Sequence, residues 1–218
     1  MAKKILKHST FLVHYSIFLF FMVKKIVIIG PESTGKSTLC ELLAQYFGTE
    51  WCPEFAREYL MTNGKDYDFD DLLTIAKGQL ALEDEYSAIV NNQWSKVDAN
   101  KWVNPQTLST SSTPPLLLID TDMYVMKVWA EYVFNQCHQF ILNEIVSREY
   151  DLYILCDVDL PWVKDELREY PDEANRKELY YIYKDLLTNQ HVPWVEIHGN
   201  YEERVQSAIN AVKQMANS

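Results

Sequence analysis

The stretch that most constrains this chain is GPESTGKSTL, residues 30–39, which directly follows the apolar run KIVII at residues 25–29. Gly30 to Ser37 fits GxxxxGK[ST], with an apolar run before it and an amphipathic pattern after it, so the order strand, glycine loop, helix is expected. After the loop, Leu39, Leu42, Leu43, Tyr46 and Phe47 recur at helical spacing, and Gly48 supplies a stop. Glycines at 30 and 35 permit backbone angles that other residues resist, which lets successive amides turn inward as a positively polarised nest for phosphate. The helix that begins near Lys36 adds its N-terminal dipole. Lys36 brings a full charge to the β- and γ-phosphates, and Ser37 offers a hydroxyl to Mg²⁺. The expected nucleotide-binding set is Gly30, Glu32, Ser33, Thr34, Gly35, Lys36, Ser37 and Thr38. A guanine-reading NKxD is missing, because NKWV at residues 100–103 lacks the Asp. ATP with Mg²⁺ is therefore the expected cofactor pair.

Beyond the loop the pattern of strand then helix repeats, as in a parallel sheet covered on both faces. TEWC (49–52), LLLID (116–120), DLYILC (151–156) and WVEIH (194–198) read as further strands. Helices are expected over about 68–94, weakly broken at Gly78, over 122–134, 136–149 and 176–190, and again at the end of the chain, where Val205, Ala208, Ile209 and Val212 share a face. Residues 95–115, rich in Ser, Thr, Asn and Pro, read as a surface insertion. At 218 residues, one domain over 23–218 is expected.

The first 22 residues differ in texture, with a basic start and an apolar stretch from Phe11 to Val23. That stretch is interrupted by His14, Tyr15 and Ser16, and is short against the ~20 apolar residues that a membrane span needs. Residues 1–22 are expected to be an extraneous or flexible segment, with Met22 as an alternative start; a membrane anchor is the other reading. The net charge of −11, without a basic stripe, argues against a nucleic-acid partner. Cys40, Cys52, Cys137 and Cys156 lack zinc spacing and lie in apolar stretches, as buried reduced thiols of a cytoplasmic protein would. No stable membrane association is expected.

Asp120 ends an apolar strand, where a carboxylate can share Mg²⁺ with Ser37. The next residue, Thr121, is not the carboxylate that hydrolytic ATPases use to orient water, so a small-molecule acceptor is favoured. The acceptor belongs at the carboxyl ends of the strands. Glu54, in PEFAREYL, lies there and can take a proton from an attacking hydroxyl. Arg57 and Glu58 are candidates to hold neighbouring hydroxyls, and Asp122 is a weaker rival for the base role. The charged segment after Cys156 reads as a mobile flap, from which Arg168 and Arg176 would reach the transferring phosphoryl group on closure. Trp162 reads as a packing residue of that flap, and HGNY (198–201) as a turn beside adenine.

GPESTGKSTL, PEFAREYL, LIDTD and PWVKDELR followed by NR resemble, in order and spacing, the nicotinamide riboside kinase domain of the NadR type, a P-loop kinase-like ATPase family. The resemblance spans about residues 24–215. It implies an α/β P-loop NTPase fold, a five-stranded parallel sheet in order 2-3-1-4-5 flanked by helices, with a small charged lid. It implies transfer of the γ-phosphate of ATP to the 5′-hydroxyl of nicotinamide riboside, giving nicotinamide mononucleotide for NAD biosynthesis. The PE pair also resembles the carboxylate that deoxynucleoside kinases use as base, which supports Glu54. Nothing here resembles the helix-turn-helix or nucleotidyltransferase domains of complete NadR proteins. A kinase for another nucleoside and a non-catalytic ATP-binding regulatory module are the alternatives.

Overall fold

KIVII forms strand β1, Lys24–Ile29, in the computed structural model, which describes residues 23–103, 114–168 and 170–217. The expected N-terminal segment, 1–22, lies outside the described residues. The elements that follow β1 are α1 (Lys36–Phe47), β2 (Trp51–Cys52), α2 (Phe55–Asn63), α3 (Phe69–Val103), β3 (Leu116–Asp120) and α4 (Met123–Phe134). Then come α5 (Gln139–Ser147), β4 (Leu152–Cys156), α6 (Glu173–Thr188), β5 (Trp194–Ile197) and α7 (Tyr201–Ala216). The five strands form one parallel sheet in the order β2-β3-β1-β4-β5. This is the topology that the family resemblance implies.

Alternation along β1 explains why both faces are covered. Ile26 and Ile28 pack with Leu39 and Leu43 of α1 and with Ala208, Ile209 and Val212 of α7. Val27 and Ile29 point the other way, into a layer with Val90 of α3, Val128 of α4, and Leu179, Tyr180 and Leu187 of α6. Successive side chains of a strand face opposite sides, so an unbroken apolar run is what a strand buried on both faces requires. Each such fully buried Ile or Leu contributes about 1.5–3 kcal/mol. A third cluster joins α2, α3, α4 and α5 through Leu60, Leu72, Ile75, Met126 and Ile141. Register then delivers the site: Ile28 pairs with Asp120 and Ile29 with Leu155, so the loop after β1 opens beside the carboxyl ends of β3 and β4.

Three expectations change. The helix expected to end near Trp94 runs to Val103, so α3 takes in the start of the expected 95–115 insertion, whose middle, 104–113, lies outside the described residues. No Gly or Pro stands between Trp94 and Pro105, so polar composition alone does not end a helix there. Gly78 does not weaken α3; it makes room for the ring of Phe55. Finally, α6 starts earlier than expected, because Asp172 caps it by accepting a hydrogen bond of 3.0 Å from the Ala174 amide. That places Arg176 inside a helix and not on the flap.

Candidate functional site

The phosphate-binding loop takes its shape from three residues in the left-handed half of backbone space: Gly30 (φ 145°), Ser33 (φ 57°) and Gly35 (φ 79°). Gly30 is also a steric requirement, since a Cβ there would lie 2.8 Å from the Cys156 carbonyl oxygen. Inside the turn, Thr34 Oγ1 and Lys36 Nζ both donate to the Pro31 carbonyl, at 2.7 and 2.9 Å. The loop therefore folds back on itself around the Pro31 carbonyl, with the left-handed residues that an anion nest uses.

Two arginines brace the loop from behind. Arg176, buried on α6, donates to the carbonyls of Glu32 and Ser33 at 3.2 Å each and to that of Leu160 at 3.4 Å. Arg204, buried on α7, donates to the carbonyls of Thr34 (3.0 Å), Gly199 and Asp157 (2.9 Å each) and pairs with Asp159. These bonds occupy the carbonyls of three successive loop residues, Glu32, Ser33 and Thr34. The expectation of a flap arginine at position 176 is corrected: its guanidinium is committed to main chain and does not line the cavity. Arg204 drew no attention in the sequence, because nothing local marks a helix arginine that reaches a loop carbonyl 170 residues away. Arg204→Met should leave three carbonyls and Asp159 without their donor, destabilising the protein by about 3 kcal/mol in urea unfolding and weakening ATP binding.

At the end of β3, Ser37 Oγ donates to Asp120 Oδ2 at 2.5 Å. Asp120 Oδ1 is buried without a hydrogen-bond partner among the described residues. Burial holds the Asp120 carboxyl above its ordinary pKa, opposed by Lys36 and by the Ser37 hydroxyl. An orphaned, buried carboxylate oxygen beside a serine hydroxyl fits a hard divalent cation such as Mg²⁺, which takes one or two protein oxygens and completes its shell with phosphate and water. Among the described residues no cluster of three or more His, Cys, Asp or Glu forms a metal site on its own. Thr121 follows with φ 86°, an outlier for a β-branched residue. This twist sends the next carboxylate elsewhere. Asp122 caps α4, accepting from the Tyr124 and Val125 amides at 3.0 and 3.2 Å, and from Tyr153 Oη at 2.8 Å. Its pKa rises to about 6, driven by burial and opposed by those bonds. Asp122 does not line the cavity, so its candidacy as base or substrate contact is corrected; helix capping is what this carboxylate does.

The loop forms one wall of a cavity of about 470 Å³, a volume in the range of small-molecule sites. Gly30, Glu32, Ser33, Thr34, Gly35, Lys36, Ser37 and Thr38 all line it, together with Glu54, Arg57, Asp120 and Arg168. Apart from Asp165 the remainder is apolar and aromatic, with Trp51, Leu60, Trp129, Tyr132, Tyr170 and Tyr183 among its lining. A cavity with phosphate chemistry and an aromatic lining suits a nucleoside beside a polyphosphate. Glu54 faces it from the N-cap position of α2, yet makes no cap bond. Burial first, and then the carboxylates of Asp120 and Glu32, push its pKa up to about 7 against the pull of Lys36 and Arg57. Glu58, exposed on α2, does not line the cavity, which corrects its expected substrate contact. A single helical step past Arg57 turns its side chain away.

The segment after β4 lies across the loop and is held at both ends. Val163 donates its amide to Ser33 Oγ at 2.9 Å, and Tyr170 its amide to Glu32 at 3.2 Å. Arg168 reaches Ser33 Oγ at 3.4 Å and the Val163 carbonyl. On the far side Arg57 grips Asp165 through two bonds, at 3.1 and 2.5 Å, and so joins α2 to the lid. Trp162 sits beneath the guanidinium groups of both Arg168 and Arg176, 5.9 and 5.6 Å from its ring centre, in keeping with a packing role. Asp165 escaped sequence reasoning because it is one of several acids in a charged run.

A family model described as AAA domain matches residues 25–204. The trifunctional NAD biosynthesis/regulator protein NadR of Escherichia coli (strain K12) is 26% identical over 198 residues, covering 89% of this chain and 43% of that protein. This chain thus spans less than half the length of that relative. The solved structure of a NadR protein in complex with NR superposes with a TM-score of 0.67 at 22% identity, covering 90% of this chain and 50% of that one. A NadR protein in complex with NAD and AMP-PNP gives a TM-score of 0.65 at 21% identity, with the same two coverages of 90% and 50%. At such identities these superpositions establish the shared fold.

Proposed function

This chain belongs to the AAA domain family whose model spans residues 25–204, and on that premise we propose that it is an ATP-dependent kinase acting on the 5′-hydroxyl of nicotinamide riboside. The observation that carries the reading is the presence of Glu54 in the same cavity as the Lys36 loop, with an aromatic lining between the helices. The likeness to NadR over 89% of the chain supports the choice of acceptor.

In this reading the loop amides and Lys36 hold the β- and γ-phosphates of ATP, and Glu54 accepts the proton of the acceptor hydroxyl. A bond forms between the 5′-oxygen and the γ-phosphorus as the bridging bond to ADP breaks. Arg168, already beside the loop, meets the charge that spreads over the equatorial oxygens. Mg²⁺, held by Ser37 and Asp120, would supply neutralisation of the phosphate charge when bound. Arg57 positions the lid through Asp165 while lining the cavity, which excludes water from the transferring group. Free, mostly buried cysteines agree with a reducing, cytoplasmic setting. No helix among the described residues is long and apolar enough to cross a membrane.

A panel of nucleosides incubated with protein, ATP and Mg²⁺ tests the reading. ADP release with nicotinamide riboside, above the rate with every other nucleoside, is expected. Faster turnover with another nucleoside would make the protein a kinase of that compound. Slow turnover that no nucleoside accelerates would make it an ATP-binding regulatory module.

A further inference from the structure

Glu54 occupies a position where a carboxylate ordinarily bonds to the first-turn amides of its own helix, and it does not do so. The explanation lies on α3. Gln79 is 1% exposed and does not line the cavity, yet its side-chain amide bonds on both sides of Glu54. Its Oε1 accepts from the Phe55 amide at 2.7 Å, and its Nε2 donates to the Pro53 carbonyl at 3.2 Å. One primary amide thus pins the two peptide groups that flank residue 54, so the direction of the Glu54 Cα–Cβ bond is set from outside its own helix. Gly78, the neighbouring residue, completes the grip. A Cβ there would come within 2.1 Å of the Phe55 ring, so only glycine lets that ring pack this close to α3.

We infer that Gly78 and Gln79 form a positioning clamp that holds Glu54 toward the acceptor, a role that rests on the reading of Glu54 as the proton-accepting group. The clamp explains three features at once: a glycine within a long helix, a fully buried glutamine and a helix start left without its side-chain cap. A buried glutamine placed only for packing has no need to divide its two ends between consecutive peptides. Placement errors of about 1 Å near a reacting atom cost on the order of a hundredfold.

The test is a double-mutant cycle on kcat with nicotinamide riboside as the probe acceptor. Gln79→Met keeps the length of the side chain and removes both of these bonds, together with the weaker one from Nε2 to Cys52 Sγ at 3.6 Å. It should lower kcat at least tenfold with the KM for ATP unchanged. In the Glu54→Ala background the same substitution should have no further effect on the residual rate, because a group that acts through Glu54 has nothing left to position. Gly78→Ala, which displaces Phe55 from the other side, should repeat the pattern and serves if Gln79→Met does not fold. An equal loss in both backgrounds, or a KM for ATP that rises in step, overturns the clamp. Wild-type transfer by Glu54→Ala alone overturns instead the reading of Glu54 on which it rests.

Discussion

Lys36→Ala is expected to abolish phosphoryl transfer, with a loss on the order of a thousandfold or more in kcat. Nζ of Lys36 is the one full positive charge that the loop itself supplies, and the loop shelters it against the Pro31 carbonyl at 2.9 Å, within the cavity wall. A neutral methyl leaves the amide nest intact, so ATP binding should weaken and not vanish. Calorimetry with Mg²⁺ and ATP should register that weaker binding while a coupled assay finds no ADP formed on addition of the riboside. Retained turnover in Lys36→Ala would mean that the cavity holds its phosphates elsewhere.

Glu54→Gln comes second in size and differs in kind. It should lower kcat between about a hundredfold and ten-thousandfold while ATP binding stays near the wild-type value, since the proposed role of the residue is toward the acceptor and not the polyphosphate. The pKa of about 7 predicts the pH dependence as well. A base must be unprotonated, so the wild-type rate should fall as pH drops through about 7, and this acid limb should be absent from the residual rate of Glu54→Gln. Stability runs in the opposite sense. A folded carboxyl whose pKa is raised from 4.5 to about 7 favours the fold below pH 4.5, and that contribution is lost as pH rises through about 7. Glu54→Gln should therefore melt at a higher temperature than wild type at pH 8, with little difference at pH 4. Equal melting temperatures at pH 8 would show that Glu54 is solvated.

How much of this was legible in the sequence follows from how local the causes are. The strands were readable because Ile26 to Ile29 carry apolar side chains on both faces, and the loop because its glycines meet a local backbone need. The strand exit marked by Pro53 pointed to Glu54, which the fold places in the cavity wall. What stayed hidden acts across the fold. Asp122 looked like a second acid of the site until the twist at Thr121 turned it into a cap. Arg176 looked like part of the flap because the start of α6 depends on a single capping aspartate. Gln79 and Arg204 bond to backbone, and a backbone partner leaves no trace in the identity of the residue it belongs to. The end of α3 was misread for the converse reason: serine and asparagine are common in loops, but they do not stop a helix in the absence of glycine or proline.

The bracing of the loop by α6 and α7 bears on how the protein is born. Residues 30–37 are made before α6 and α7, yet the carbonyls of Glu32, Ser33 and Thr34 receive their side-chain hydrogen bonds from Arg176 and Arg204. A nascent chain carries the nucleotide signature long before it has the nest. The carbonyl side of the loop is thus complete only once α6 and α7 have both docked behind it, so its shape depends on parts of the chain far from the signature itself.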